Sequence, residues 1–167
     1  MLNKPLLYGC VLIMALTSCQ SNEGGAPPES SKVQVNKPVT ELVGSKNAQV
    51  IRSGAFTDAE RPTSGIVELV QAGDRYHVIL SSDFSTLKGP DLQVVLHRSN
   101  DLISQLEPPT FPLDTSDYVV LGGLKSLTGQ QTYAVPEKIN MDEYGSVAVW
   151  CEKFNATFGS ANLSSKS

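Results

Sequence analysis

Short runs in which apolar and polar residues alternate recur along the chain from about residue 65. Two of them, Gly65–Gln71 and Arg75–Leu80, are separated by Ala72-Gly73-Asp74, a combination that predicts a β-hairpin. Further β-rich runs, bounded by glycine, proline or polar residues, are Pro90–His97, Ser116–Gly123, Gln131–Pro136, Ser146–Phe154 and Ala156–Gly159. No segment keeps helical apolar spacing for about ten residues. The pattern therefore predicts an all-β fold, an antiparallel β-sandwich or barrel of about 7–9 short strands.

The N-terminus follows a different pattern. Lys4 is the one charge before residue 19, and an apolar run extends from Leu6 to Leu16. Because a bilayer span takes about 20 residues, this run predicts a signal peptide rather than a membrane helix. Its end, Leu16-Thr17-Ser18-Cys19, resembles the signal box of bacterial lipoproteins, in which the cysteine becomes the first mature residue. An ordinary secretory signal or a short buried helix is the alternative.

The lipoprotein resemblance implies how this protein is delivered. Residues 1–18 are removed, and the Cys19 sulfur carries a diacylglycerol whose acyl chains, such as palmitate, anchor it in the membrane. Residues 19–47, rich in glycine, proline, serine and charges, form a flexible tether, and residues 48–164 form the folded domain. We therefore expect an exported protein anchored to the bacterial cell membrane or outer membrane and facing the periplasm or the exterior.

Charge and cysteine content exclude some classes of protein and point to one residue. The chain carries 13 Lys and Arg against 17 Asp and Glu, a net charge of −4, which argues against a nucleic-acid binder because such proteins need a clustered basic face. The three cysteines, Cys10, Cys19 and Cys151, are too few for a disulfide scaffold. With Cys10 removed and Cys19 lipidated, Cys151 is left as a single unpaired thiol, which marks it as a candidate functional group.

Several short motifs follow one another in the domain. They are Gly54-Ala55-Phe56, Asp83-Phe84, Gly89-Pro90-Asp91-Leu92, Leu124-Lys125, Gly129-Gln130-Gln131-Thr132-Tyr133, Tyr144-Gly145-Ser146-Val147-Ala148-Val149-Trp150-Cys151 with Phe154, and Phe158–Leu163. In this order they closely resemble the DM13 domain family, found in bacterial lipoproteins and animal extracellular proteins. The resemblance covers residues 54–163 and implies a β-rich extracytoplasmic domain acting in electron transfer or redox chemistry. The characteristic cysteine of the family matches Cys151.

The residues around Cys151 predict where its side chain lies. Residues two apart share a face of a strand, so Cys151 shares a face with two valines while Trp150 and Phe154 lie on the other. Trp150, Phe154 and Phe158 are predicted to form core. Cys151 itself has two interpretations: a small buried hydrophobe, or a redox-active or metal-binding thiolate.

Haem and copper are the candidate cofactors. His77 and His97 are the only histidines, and with Cys151 they are the candidate cofactor-binding residues. One cysteine, two histidines and a weak axial methionine, here Met141, form the ligand set of a blue-copper site. The usual supporting patterns are missing, since no histidine follows Cys151 and no C-x-x-C-H haem-attachment motif is present. No metal is assigned on this basis.

Two functions from different classes remain. The first is redox or electron transfer centred on Cys151, with the membrane and a redox partner protein as the expected partners. The alternative is a non-enzymatic ligand-binding or structural module at the cell envelope. The sequence contains no Ser/His/Asp grouping, phosphate loop or paired carboxylates that would indicate a class of enzyme.

Overall fold

The structure, a computed structural model, describes residues 47–165. The predicted signal peptide, Cys10, Cys19 and nearly all of the predicted tether lie outside the described residues. The strands are β1 (Ala48–Asp58), β2 (Thr63–Ser64), β3 (Ile66–Ala72), β4 (Arg75–Leu80), β5 (Ser85–Thr86), β6 (Leu92–His97), β7 (Tyr118–Gly123), β8 (Gln131–Ala134), β9 (Ser146–Cys151), β10 (Ala156–Asn162) and β11 (Ser164–Ser165). One short helix, α1 (Leu102–Gln105), and two 3₁₀ turns, Met141–Glu143 and Glu152–Phe154, complete the described part. Within residues 47–165, no helix is both long enough and apolar enough to cross a membrane.

Eight strands form one antiparallel sheet in the order β7-β6-β9-β10-β1-β3-β4-β8. The two end strands, β7 and β8, come into contact, so the sheet is nearly closed into a barrel. β11 adds to β1, and β2 pairs with β5 in a separate two-stranded sheet. The predicted all-β fold is confirmed, in its barrel form. Curling the sheet in this way covers the edges that an open sheet would leave unpaired.

The predicted hairpin is β3–β4. Ala72 pairs with Arg75, so the connection has two residues, Gly73 and Asp74. Gly73 has φ +63°, a left-handed conformation that two-residue hairpin turns require and that glycine adopts without a steric cost.

The longest strand, β1, was not predicted. Its pairing with β3 shifts register between Val50 and Arg52, where a bulge inserts an extra residue. The bulge interrupts the alternation of apolar and polar positions on which the strand prediction depends, and Arg52, Ser53 and Gly54 add a polar stretch at mid-strand. Nevertheless β1 lies in the middle of the sheet, between β10 and β3.

Two apolar clusters lie on opposite faces of the sheet. The interior cluster fills the barrel and includes Val94, Val147 and Val149. A second cluster forms on the outer face, where the segment between β6 and β7 packs over the sheet. Its buried members are Val95, Leu102, Leu113, Ala148 and Trp150, with Leu106 and Tyr118 partly buried against them.

One prediction about the core is wrong in part. Phe154 is 65% exposed, whereas Trp150 belongs to the outer cluster and Phe158 to the interior cluster. The cause is the backbone after Cys151. β9 ends there, a 3₁₀ turn follows, and Asn155 takes a left-handed conformation with φ +45°. The alternation of faces therefore does not continue as far as Phe154.

Candidate functional site

Cys151 is the last residue of β9, and only 1% of its surface is exposed. It lies in the interior cluster with Val147 and Val149, so the predicted sharing of a face is confirmed. Its Sγ donates a hydrogen bond to the Pro90 carbonyl oxygen at 3.0 Å. No other cysteine lies between residues 47 and 165, and the thiol is free.

Two of the motifs that carry the family resemblance meet at this thiol. Leu92, which ends the Gly-Pro-Asp-Leu motif, pairs with Cys151 in the β6–β9 ladder. The Glu152 amide donates to the Asp91 carbonyl oxygen at 3.1 Å, next to the bond between Cys151 and Pro90. These contacts fix the loop of residues 88–91, the cover loop, over the end of β9.

The cover loop has two unusual backbone features. A Cβ on Gly89 would lie 2.6 Å from Cζ of Phe158, so only glycine allows the loop to approach this closely. Asp91 has φ +49°, a left-handed conformation that aspartate tolerates better than most residues. The loop therefore covers Cys151 through close packing as well as hydrogen bonds.

His97 lies far from Cys151. It pairs with Ser146 at the other end of the β6–β9 ladder, five positions beyond Leu92 and hence about 16 Å along the strand. Since Leu96 belongs to the interior cluster, the alternation of faces puts His97 on the outer face. There it is 6% exposed, and its Nδ1 accepts a hydrogen bond from the Ser99 amide at 3.0 Å.

His77 is equally remote. It lies on β4, four places from β9 in a sheet of eight strands that is nearly closed, so the two strands form opposite walls of the barrel. Val78 belongs to the interior cluster, which puts His77 on the outer face. Burial lowers the pKa of both imidazoles. The positive charge of Arg75 lowers the pKa of His77 further, whereas the negative charge of Asp117 opposes the effect of burial at His97.

The three candidate cofactor residues are therefore not brought together. Met141, considered as an axial ligand, is a buried member of the interior cluster. Within residues 47–165, no group of three His, Cys, Asp or Glu side chains could hold a metal ion. The described residues do not fit a blue-copper ligand set. We therefore consider Cys151 as a free thiol rather than as a metal ligand.

Asn155 is not among the site residues predicted from the sequence, yet it connects β9 to the outer cluster. Its Oδ1 accepts from the Trp150 Nε1–H and from the Leu113 amide, both at 2.9 Å, and its Nδ2 donates to the Leu113 carbonyl oxygen at 3.1 Å. Asn155 follows Cys-Glu-Lys-Phe and directly precedes a strand. An asparagine at such a position indicates a left-handed turn, because asparagine is favoured in that conformation.

Comparison with protein families gives a match to the family model described as "Electron transfer DM13", over residues 55–163. The matched region contains the cover loop, Cys151 and every strand from β2 to β10. The searches of curated proteins and of solved structures found no match.

Proposed function

Because the chain belongs to the DM13 family, whose model is described as an electron-transfer domain, we propose that it takes part in redox exchange at the cell envelope. In this proposal Cys151 is the group that is oxidised and reduced. The observation that carries the assignment is the meeting of two family motifs at one thiol, where the Cys151 Sγ–H donates to the Pro90 carbonyl oxygen. No other described side chain combines redox chemistry with this position.

A single thiol can undergo a balanced redox cycle with small reactants. A peroxide oxidises Cys–SH to Cys–SOH by transfer of one oxygen atom, and the peroxide leaves as water or an alcohol. One thiol of a partner then displaces water and forms a mixed disulfide with Cys151. A second partner thiol attacks that disulfide, which restores Cys–SH and releases the partner as its own disulfide. The cycle passes two electrons from the two partner thiols to the peroxide. It needs no second cysteine in this chain.

The exposure of Cys151 sets the condition for this chemistry. At 1% exposure the sulfur cannot meet a peroxide or a partner thiol while the cover loop is closed. The loop must therefore open locally, by breaking the Cys151–Pro90 and Glu152–Asp91 bonds, before the thiol reacts. A buried thiol of this kind would react slowly with bulk oxidant and faster with a partner that stabilises the open loop.

The redox proposal predicts that Cys151 is oxidised reversibly in the folded protein. We would treat the reduced full chain with hydrogen peroxide, trap sulfenic acid with dimedone, and locate the adduct by mass spectrometry. The adduct should form on Cys151, disappear in the Cys151→Ser variant and be prevented when a dithiol reduces the oxidised protein before dimedone is added. Metal content and the visible spectrum are recorded in parallel, and a chromophore lost in Cys151→Ser would assign the thiol to a cofactor instead. A native thiol that stays reduced while the urea-unfolded chain reacts would overturn the redox role. The alternative function, a non-enzymatic ligand-binding or structural module, would then remain.

The location of the protein is the second part of the proposal. The Leu-Thr-Ser-Cys sequence at residues 16–19 supports cleavage before Cys19 and attachment of lipid to its sulfur. Residues 20–47 would then hold the domain away from the bilayer. Gln20, rather than the aspartate associated with retention in the inner membrane, favours the outer membrane in a two-membrane envelope.

Lipid attachment predicts that Cys19→Ala produces an unlipidated chain. In cells supplied with radiolabelled palmitate, the wild-type chain should be labelled and should partition into detergent, whereas the variant should do neither. Cys10→Ala is the matched control, because Cys10 lies within the predicted signal and its variant should be labelled like the wild type. Normal labelling of Cys19→Ala would exclude this anchor.

A further inference from the structure

An open groove lies beside the cover loop, at the same end of the barrel as Cys151. Its walls are the cover loop, the first residues of β6 and the segment that follows β7, and its volume is about 690 Å³. Small-molecule sites in proteins typically measure about 300–1,000 Å³. Cys151 does not line the groove, although Leu92, its partner in the β6–β9 ladder, does.

The charges that line the groove differ in sign from the chain as a whole. Lys88 and Lys125 line it with a single acid, Asp91, in a chain whose net charge is −4. Among the described residues, ion pairs are formed by arginines elsewhere in the fold, and neither lysine lies within 4.0 Å of a carboxylate oxygen of residues 47–165. Two lysines thus line one concave surface without an ion-pair partner among the described residues.

Lys125 is exposed, yet its side chain makes two contacts that position the ammonium. Its Nζ donates to the Thr132 carbonyl oxygen and lies 4.6 Å from the centre of the Tyr133 ring. Burial lowers the pKa of this ammonium. An ammonium carries three N–H groups, so donation to Thr132 leaves two for a ligand.

The backbone of the same wall is fixed by a buried glutamine. Gln131 is 5% exposed, and its Oε1 accepts from the amides of Lys125 and Ser126 at 3.0 and 3.1 Å. Its Nε2 donates to the Ser126 carbonyl oxygen at 2.8 Å, and the Tyr133 hydroxyl donates to its Oε1 at 2.8 Å. This network forms the wall in advance of any ligand, which lowers the entropic cost of binding.

The remaining lining is largely apolar. Leu92, Leu124 and Leu127 line it, and Leu127 is the most exposed of the three, at 37%. Gly123 adds a wall position without a side chain. A ligand that fits this surface needs both an anionic group for the lysines and an apolar body for the leucines.

We propose that this groove binds a small organic anion, in which a carboxylate, phosphate or sulfonate group is attached to an apolar body. Lys88 and Lys125 bind the anionic group, and the leucines contact the body. This function is separate from the redox role of Cys151, since no step of binding uses the thiol. It also explains why the Leu-Lys and Gly-Gln-Gln-Thr-Tyr motifs, which the redox proposal leaves unused, lie together at one wall.

The test uses 2-naphthoate as the probe and 2-naphthamide as its neutral counterpart of the same shape. The full chain in a non-ionic detergent is titrated with each by calorimetry, with protein-free detergent as the blank. We expect saturable binding of the naphthoate, binding of the naphthamide weaker by about tenfold or more, and a comparable loss for naphthoate in Lys125→Gln. Naphthoate binding should also weaken as salt is added.

Two further variants protect this test from a folding artefact. Lys88→Gln changes an exposed side chain with no hydrogen bond or ion pair to the described residues, and it should weaken naphthoate binding without altering the fold. Lys138→Gln, an exposed lysine outside the groove, should bind like the wild type. The proposal is overturned by equal affinity for the two probes, by unchanged binding in Lys88→Gln and Lys125→Gln, or by the absence of saturable binding.

Discussion

Trp150→Ala is expected to lower the free energy of unfolding by about 3–5 kcal/mol, as large-to-small changes of buried aromatic residues do. Trp150 is 5% exposed, and its ring centre lies 5.0 Å from that of Tyr118. Its indole N–H donates to Asn155, so truncation also removes one of the bonds that connect β9 to the outer cluster. The segment between β6 and β7 then loses much of the surface on which it packs.

Urea unfolding at pH 7, followed by circular dichroism, measures this effect. Phe154→Ala is the matched control, because it removes an aromatic ring only four residues away that is 65% exposed. Its expected change is within about 0.5 kcal/mol. Similar losses in the two variants would contradict the assignment of Trp150 to a core and of Phe154 to the surface. A Trp150→Ala chain that does not fold would still agree with the prediction, and Trp150→Phe would then supply a smaller, measurable loss.

Gly89→Ala is expected to increase the rate at which the native Cys151 thiol reacts with a disulfide reagent by about 5–30-fold, the factor that corresponds to 1–2 kcal/mol. The added Cβ would lie 2.6 Å from Cζ of Phe158 and 3.0 Å from Cδ2 of Leu92. Relief of these contacts displaces the cover loop, which holds Pro90 against the thiol. The closed state is weakened, and the open state in which the sulfur is accessible becomes more populated.

Gly73→Ala separates local opening from a general loss of stability. Gly73 has φ +63°, and a Cβ added there would have no atom within 4 Å, so alanine strains the β3–β4 turn without touching the cover loop. Its thiol should react at nearly the wild-type rate under native conditions. If Gly73→Ala accelerates the reaction as much as Gly89→Ala does, the thiol becomes accessible through global unfolding and the cover loop has no separate role.

The fold was predictable wherever side-chain alternation reflects burial. The β3–β4 hairpin follows directly from two β-rich runs and a Gly-Asp turn, and the register observed at Ala72 and Arg75 agrees with it. Prediction failed at β1 because a bulge shifts the alternation, and at Phe154 because the chain leaves the strand at Cys151. Both failures come from backbone conformation, which a pattern of side chains does not record.

The candidate site was predictable only in part. The resemblance and the cysteine count identify Cys151, and alternation predicts the face on which it lies, but neither gives its hydrogen bond to Pro90. The distance between Cys151 and the histidines depends on strand order, a long-range property that local sequence does not encode. The groove likewise joins Lys88 to Lys125 through the approach of two loops that are well separated along the chain.

The position of β1 also affects the order in which the chain can fold. β1 pairs with β10 and β11, so Phe56 meets Ala161 and Arg52 meets Ser165, residues at the two ends of the domain. During synthesis, the barrel cannot acquire these contacts until its last strands have left the ribosome. Pairings so distant along the chain form slowly, because the loop that they close is long. The barrel of a nascent chain therefore cannot be completed until β10 and β11 have been synthesised, although β1 is the first strand of the domain to emerge.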